Sequence, residues 1–288
     1  MHYKDYKGIL NQYGMNLFRG CLHGCIYCDS RSDCYQMNHD FFDVEIKGNA
    51  PMLLELALKK KRKKMMIGTG AMSDPFMNHP STLKITRKCF DIIYQYGFGL
   101  TFQTKSNIFL QDIDLLQKIN DKTKCVVQMT LTNYNDHLSK LIEPNVCTTT
   151  ERILALNTLK EKGIPTIVWL SPLLPYINDD LDNLKAILNA CYEAKVLGII
   201  WFGAGMTLRK GNREYFYKQL DKHFPGLKDK YIKNYGNSYE VISPNHNLLN
   251  NYFHQFCTEN HIMHNNKQIF AYLNKFEEKK KFEQMQLF

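Results

Sequence analysis

Three thiols sit on one short stretch, Cys21-Leu22-His23-Gly24-Cys25-Ile26-Tyr27-Cys28. The spacing C-x3-C-x2-C lets all three reach one metal centre, and it supplies three ligands rather than four. On a four-iron cluster, three thiolates leave one iron without a protein ligand. An open coordination position marks a metal that does chemistry rather than one that only holds a fold. Such an iron can bind a second molecule and pass it an electron. The competing reading is a zinc site completed by His23 or Cys34, in a zinc-stabilised nucleic-acid-binding module without catalysis. Zinc fingers, however, use paired ligands, and no second pair follows this motif. A disulfide framework fits less well still, because the nine cysteines are an odd number and the chain reads as intracellular.

Composition narrows the setting. The chain has 288 residues, 44% of them hydrophobic, and β/α barrels of about 250 residues run as one domain. Met1 to Lys7 is polar with no apolar run behind it, so no signal peptide is expected. The longest apolar stretch, Val196 to Met206, is too short to span a bilayer. The expectation is a cytoplasmic protein with no membrane partner. The net charge is +9, but six cations form one run, Lys59 to Lys64, and without it +3 is left. That run closes a helix, where cations suit the negative end of the dipole. The charge is therefore weak evidence for nucleic-acid binding. Cys89, Cys125, Cys191 and Cys257 lie among apolar residues and read as core.

The elements that must position the thiols alternate. Residues 1–15 read as an irregular lead-in, and Phe18 to Gly20 ends a first strand. A helix begins at Pro51, followed by strand Met65 to Gly70, helix Leu83 to Tyr96 and strand Gly99 to Thr104. Helix Ile113 to Ile119 and strand Cys125 to Leu131 come next. Thr150 is expected to cap a helix to Lys162, before strand Pro165 to Leu170. Asp179 or Asp180 caps a helix to Lys195, before strand Leu197 to Phe202. Such alternation predicts parallel βαβ units with right-handed crossovers. The fold class is α/β, a partial (β/α)6 TIM-like barrel over residues 1–210. Helices Arg213 to His223, Asn245 to Asn260 and Lys267 to Lys281 make a C-terminal helical extension over 211–288. In such barrels chemistry lies in the loops after the strands. The thiol loop falls on that face and the Lys59–Lys64 run on the other.

The cysteine motif, with aromatic Tyr27 before the last thiol, resembles the radical S-adenosylmethionine (SAM) superfamily. The longer string from Asn16 to Ser32 is similar to the branch related to spore photoproduct lyase. The resemblance implies a [4Fe–4S] cluster on Cys21, Cys25 and Cys28, with SAM at the open iron. It also implies reductive cleavage to methionine and a 5′-deoxyadenosyl radical that abstracts hydrogen from a substrate. A one-electron donor such as flavodoxin or ferredoxin would be the partner.

The same resemblance suggests SAM contacts. Tyr27 belongs to the motif. Ser73 and Asp74 follow strand two, where the superfamily places a Gly-Gly-Glu-like motif, and they offer a hydroxyl and a carboxylate. Lys105 and Ser106 follow strand three, where a lysine as point charge can pair with the SAM carboxylate. Thr130 ends strand four, near the expected ribose, and Ser171-Pro172 borders the adenine. Glu143 and Arg152 read as an ion pair bracing a loop. One position departs from the branch: Ala71 stands where the photoproduct lyase places its hydrogen-donating cysteine. These residues do not choose among a nucleic acid, a peptide and a small molecule as substrate.

Overall fold

In the computed structural model, which describes residues 1–12 and 14–279, the lead-in is more ordered than its sequence suggests. It forms β1 (His2–Lys4), β2 (Leu10–Asn11) and β3 (Gly14–Met15), then β4 (Phe18–Arg19). The segment after the thiols makes two 3-10 turns, Asp29–Arg31 and Asp33–Tyr35, and reaches β5 (Glu45–Lys47). The barrel proper follows: α1 (Ala50–Lys60), β6 (Met66–Thr69), α2 (Pro80–Gln95), β7 (Gly99–Thr104) and α3 (Ile113–Lys122). It continues through β8 (Cys125–Thr130), α4 (Asp136–Ile142), α5 (Thr149–Glu161), β9 (Thr166–Trp169), α6 (Leu181–Glu193) and β10 (Gly198–Ile200). The rest is β11 (Gly205–Thr207), α7 (Asn212–His223), α8 (Leu227–Tyr235), β12 (Glu240–Ile242), α9 (His246–Glu259) and α10 (Asn266–Asn274).

Strands β6 to β10 form an open parallel sheet in sequential order, the partial-barrel arrangement expected of βαβ units. Among the described residues it has five strands, not six. The expected first strand is only Phe18–Arg19, and it pairs antiparallel with β5, whose other edge takes β1 in parallel. The lead-in still touches the barrel edge. Gly14 lies so close to β6 that a Cβ there would sit 2.0 Å from the Gly68 carbonyl, which only glycine permits. The central strand β8 is buried along its whole length, and β7 along all but Gln103.

Four phenylalanines, Phe76, Phe90, Phe102 and Phe109, pack edge-to-face or tilted at 5.2–6.0 Å between α2, β7 and the loops around them. All four are fully buried, and truncating one such ring costs about 3–5 kcal/mol. Phe76 belongs to the loop after β6, so this cluster anchors that loop. Leu249, Phe253 and Cys257 of α9 join the same core as the barrel. Cys89, Cys125, Cys191 and Cys257 are all buried thiols, as their apolar neighbours imply.

Three local expectations change. The cap of α5 is Thr148, not Thr150, because Thr148 and Glu151 form a reciprocal capping box. Helices α4 and α8 and the β11–β12 pair are additions, and that pair straddles residue 210. The last helix ends at Asn274, and its expected end at Lys281 lies outside the described residues. Among the described residues no helix is long and apolar enough to cross a membrane.

Candidate functional site

The thiol loop leaves β4 at Gly20, whose φ of +87° turns the chain and where a Cβ would sit 2.4 Å from the Phe41 carbonyl oxygen. Backbone contacts then fix it. Cys21 N donates to Phe41 O at 3.2 Å, and Ile26 N to Ile142 O at 2.9 Å. Asn145 donates from its side chain to Leu22 O at 2.9 Å and from its backbone to His23 O at 3.1 Å. Beneath the loop, the Tyr27 hydroxyl donates to Glu143, whose other oxygen meets Arg152 Nη2 at 2.5 Å. Glu143 and Arg152 are fully buried, so the expected ion pair is present and braces the cysteine loop itself. Burial alone would raise the Glu143 pKa, but Arg152 and Lys105 outweigh it and hold the carboxylate below its usual range.

Cys21 and Cys25 are buried and Cys28 is half-buried. Burial pushes the Cys21 thiol up to about 12 and Cys25 well above its ordinary value. A metal must therefore displace protons from them. Among the described residues, the group of metal-ligand atoms lying within 4.8 Å of one another is His2, His39 and Glu45; Cys21, Cys25 and Cys28 do not form one. Neither proposed fourth zinc ligand completes a set with the three thiols. His23 is buried and turned to Asp74 (Nδ1 to Oδ2 3.4 Å), and burial lowers its pKa. Cys34 is exposed, and its sulfur accepts from Arg209 at 3.2 Å.

Beside the thiols a cavity of about 830 Å³ opens at the C-terminal ends of the strands. Cys28 and Tyr27 enter from the thiol loop, Ala71 and Met72 from the loop after β6, and Lys105 from the end of β7. Ser171 and Pro172 border it after β9, as their sequence position implies. The Lys59–Lys64 run is exposed at the other end of the sheet, where Lys64 Nζ reaches Tyr96 O ahead of β7. Lys105 is half-buried, and among the described residues its ammonium has no hydrogen-bonding partner; it sits 5.8 Å from the Tyr27 ring centre. Burial opposes its charge, yet Cys25, Glu143 and Cys28 together raise its pKa, so it is a cation.

The other suggested SAM contacts do not reach this cavity. Asp74 is buried, and its carboxylate accepts from Thr104 Oγ1 (2.9 Å), Lys105 N (2.8 Å) and Phe76 N (2.8 Å). It ties the loop after β6 to the end of β7 and so sets where Lys105 stands. Ser73 donates to Phe18 O at 3.2 Å, and Ser106 accepts from Ile108 N at 3.2 Å, so both hold turns. Among the described residues, Thr130 Oγ1 at the strand end and Thr132 Oγ1 two residues on are buried without a partner.

Sequence reading missed five groups. Trp169 and Phe202 stand 6.0 Å apart on the cavity wall, and Tyr239, just before β12, and His246, at the start of α9, also line it. These residues carry no motif; only the fold gathers them. Arg31 is stacked between Phe41 (3.9 Å) and Tyr215 (3.8 Å), with its Nε and Nη2 buried and unpartnered. Burial lowers its pKa.

Comparisons with known proteins agree with this geometry. Residues 15–188 match the family model of the radical SAM superfamily. The uncharacterized protein MJ0683 of Methanocaldococcus jannaschii is 31% identical over 234 residues, covering 81% of this chain and 80% of that one. The uncharacterized protein Rv2578c of Mycobacterium tuberculosis is 23% identical over 237 residues, covering 78% and 67%. Among solved structures, spore photoproduct lyase superposes with a TM-score of 0.62 at 12% identity, over 86% of this chain and 74% of that one. One solved form of that enzyme holds AdoMet and a dinucleoside spore photoproduct.

Proposed function

The chain belongs to the radical SAM superfamily, and from that premise we propose that Cys21, Cys25 and Cys28 hold a [4Fe–4S] cluster beside a cavity that takes SAM and a substrate. When bound and reduced by one electron, the pair supplies a 5′-deoxyadenosyl radical. The observation that carries this reading is the shared wall: Cys28 and the unpartnered ammonium of Lys105 line one cavity at the active end of the sheet. An open cluster needs an anionic ligand group held next to it, and a half-buried cation with no protein partner is suited to the carboxylate of SAM.

The chain's own residues divide the work. The three thiols would release their protons to solvent and bind the cluster as thiolates. Tyr27, Glu143 and Arg152 keep the loop rigid while its thiols are loaded. Asp74 orients the Lys105 backbone, and Lys105 fixes the amino-acid end of SAM. Ser171 and Pro172 flank the adenine side, with the unpartnered Thr130 hydroxyl behind. Trp169, Phe202, Tyr239 and His246 form the outer wall, where the substrate is excluded from water. A flavodoxin- or ferredoxin-like protein supplies the electron.

A nucleic-acid photoproduct is not favoured as substrate. Ala71 lines the cavity at the position where this reading would require a hydrogen-donating thiol. The Lys59–Lys64 cations are at the far end of the sheet, and phosphate contacts dominate nucleic-acid affinity. A small molecule or a peptide side chain fits the semi-apolar cavity better.

The test is anaerobic reconstitution with iron and sulfide, then SAM and dithionite. Four irons per chain and release of methionine and 5′-deoxyadenosine are expected. Cys21→Ala, Cys25→Ala and Cys28→Ala each lose the cluster, and Cys34→Ala keeps it. Cluster loss in Cys34→Ala, or a wild-type chain that binds zinc on its thiols and no iron, sinks the reading.

A further inference from the structure

Away from the thiols, three side chains from distant parts of the sequence converge on one point. His2 lies on β1, His39 in the loop after the second 3-10 turn, and Glu45 on β5. One ligand atom from each lies within 4.8 Å of the others. Both imidazoles are oriented by their second nitrogen. His2 Nδ1 is 3.0 Å from Asp43 Oδ2, and His39 Nδ1 is 2.9 Å from the Asp40 carbonyl. A carbonyl and a carboxylate can only accept, so Nδ1 carries the proton in each ring. In the neutral ring each Nε2 then keeps a lone pair. His2 Nε2 faces Glu45 Oε2 at 3.6 Å, and among the described residues His39 Nε2 is buried with no partner.

The fold thus brings two imidazoles and a carboxylate within reach of one ion. Imidazoles that donate Nδ1–H to a carboxylate and a backbone carbonyl are the usual outer shell of metal-bound histidines. Glu45 is prepared in the same way. The Tyr6 hydroxyl donates to its other oxygen. We propose that His2, His39 and Glu45 bind a divalent zinc ion, with water completing the tetrahedron. Two neutral imidazoles and one carboxylate are a known zinc donor set.

The ion would have a structural task. It joins β1 and β5 to the loop between the thiols and β5. β5 pairs with β4, which leads straight into Cys21, and Cys21 N bonds Phe41 O, two residues beyond His39. Zinc here clamps the base of the cysteine loop. One group competes for the site: Lys4 Nζ lies 3.3 Å from Glu45 Oε2. Its side chain is half exposed and swings into solvent when zinc binds.

The experiment measures zinc and iron together by mass spectrometry on anaerobically reconstituted protein given one equivalent of Zn²⁺ and desalted. Wild type is expected to keep about one zinc alongside its iron. His39→Ala loses the zinc and keeps the iron, and a Cys21/Cys25/Cys28 triple alanine variant does the reverse. A chelator-competition titration gives zinc affinity. Asp43→Asn, which removes an orienting partner, weakens it by about 10- to 100-fold, and Lys4→Ala strengthens it. Wild type holding no more zinc than His39→Ala overturns the proposal. So does zinc that disappears with the three cysteines, or affinity that falls in Lys4→Ala. Iron binding failing while zinc is retained would instead count against the cluster alone.

Discussion

The hydroxyl of Tyr27 donates to the carboxylate of Glu143, 116 positions further along the chain, in a fully buried contact. The residue just before the last thiol is thereby joined to the Glu143–Arg152 ion pair. Glu143→Gln leaves the buried guanidinium of Arg152 without its counter-charge. Loss of one partner of such a pair costs about 3–5 kcal/mol. Denaturant melts should show this loss, and replacing both Glu143 and Arg152 with apolar residues should recover part of it. A Glu143→Gln chain as stable as wild type would mean that the pair carries no weight in the loop.

Lys105→Ala should weaken SAM binding while iron content stays at the wild-type level. Loss of one charge-assisted hydrogen bond is worth about 1.5–3 kcal/mol, roughly ten- to a hundred-fold in affinity. Calorimetry under anaerobic conditions measures it. An unchanged affinity removes Lys105 from the SAM site.

The wild-type chain should cleave SAM and leave a dinucleotide spore photoproduct largely unrepaired. Ala71 faces the cavity and offers no hydrogen to a product radical. Repair to two thymines over many turnovers, followed by chromatography, would show that another group is the donor.

Metal-free protein should lose stability as the solution becomes alkaline. The buried thiols of Cys21, Cys89 and Cys125 titrate near 12, against an ordinary value of 9.0. The unfolded chain releases those protons first, so their contribution is complete below pH 9.0 and is lost as pH rises towards about 12. Melting temperatures at several pH values should fall across that window, and less steeply in Cys125→Ala. A flat profile would show that the thiols are not protonated in the folded chain.

Much of the site was legible in the residues alone. The thiol spacing, the order of βαβ units and the placement of Lys105 after a strand are local matters. Apolar periodicity fixes which segments are strands, and the handedness of crossovers fixes which strand ends face the chemistry. Ala71 and Ser171-Pro172 followed from the same rule. The Glu143–Arg152 pair was also foreseeable, from the Glu-Pro-x7-Arg pattern that resembles the branch.

Tertiary structure decided the rest, because burial selects partners that sequence distance hides. Asp74 offered a free carboxylate for SAM by position, but Thr104, Lys105 and Phe76 take up its oxygens, since a buried carboxylate must be hydrogen-bonded. Thr148 caps α5 in place of Thr150 because only Thr148 has Glu151 three residues on to return the bond. Phe18–Arg19 joins β5 rather than the barrel, because Gly20 turns the chain after two residues. His2, His39 and Glu45 have no common spacing to read. They meet because β1 and β5 pair in register and the loop after the thiols folds back over them. Local spacing names the three thiols proposed for the cluster; only the packing of three separate segments brings His2, His39 and Glu45 together.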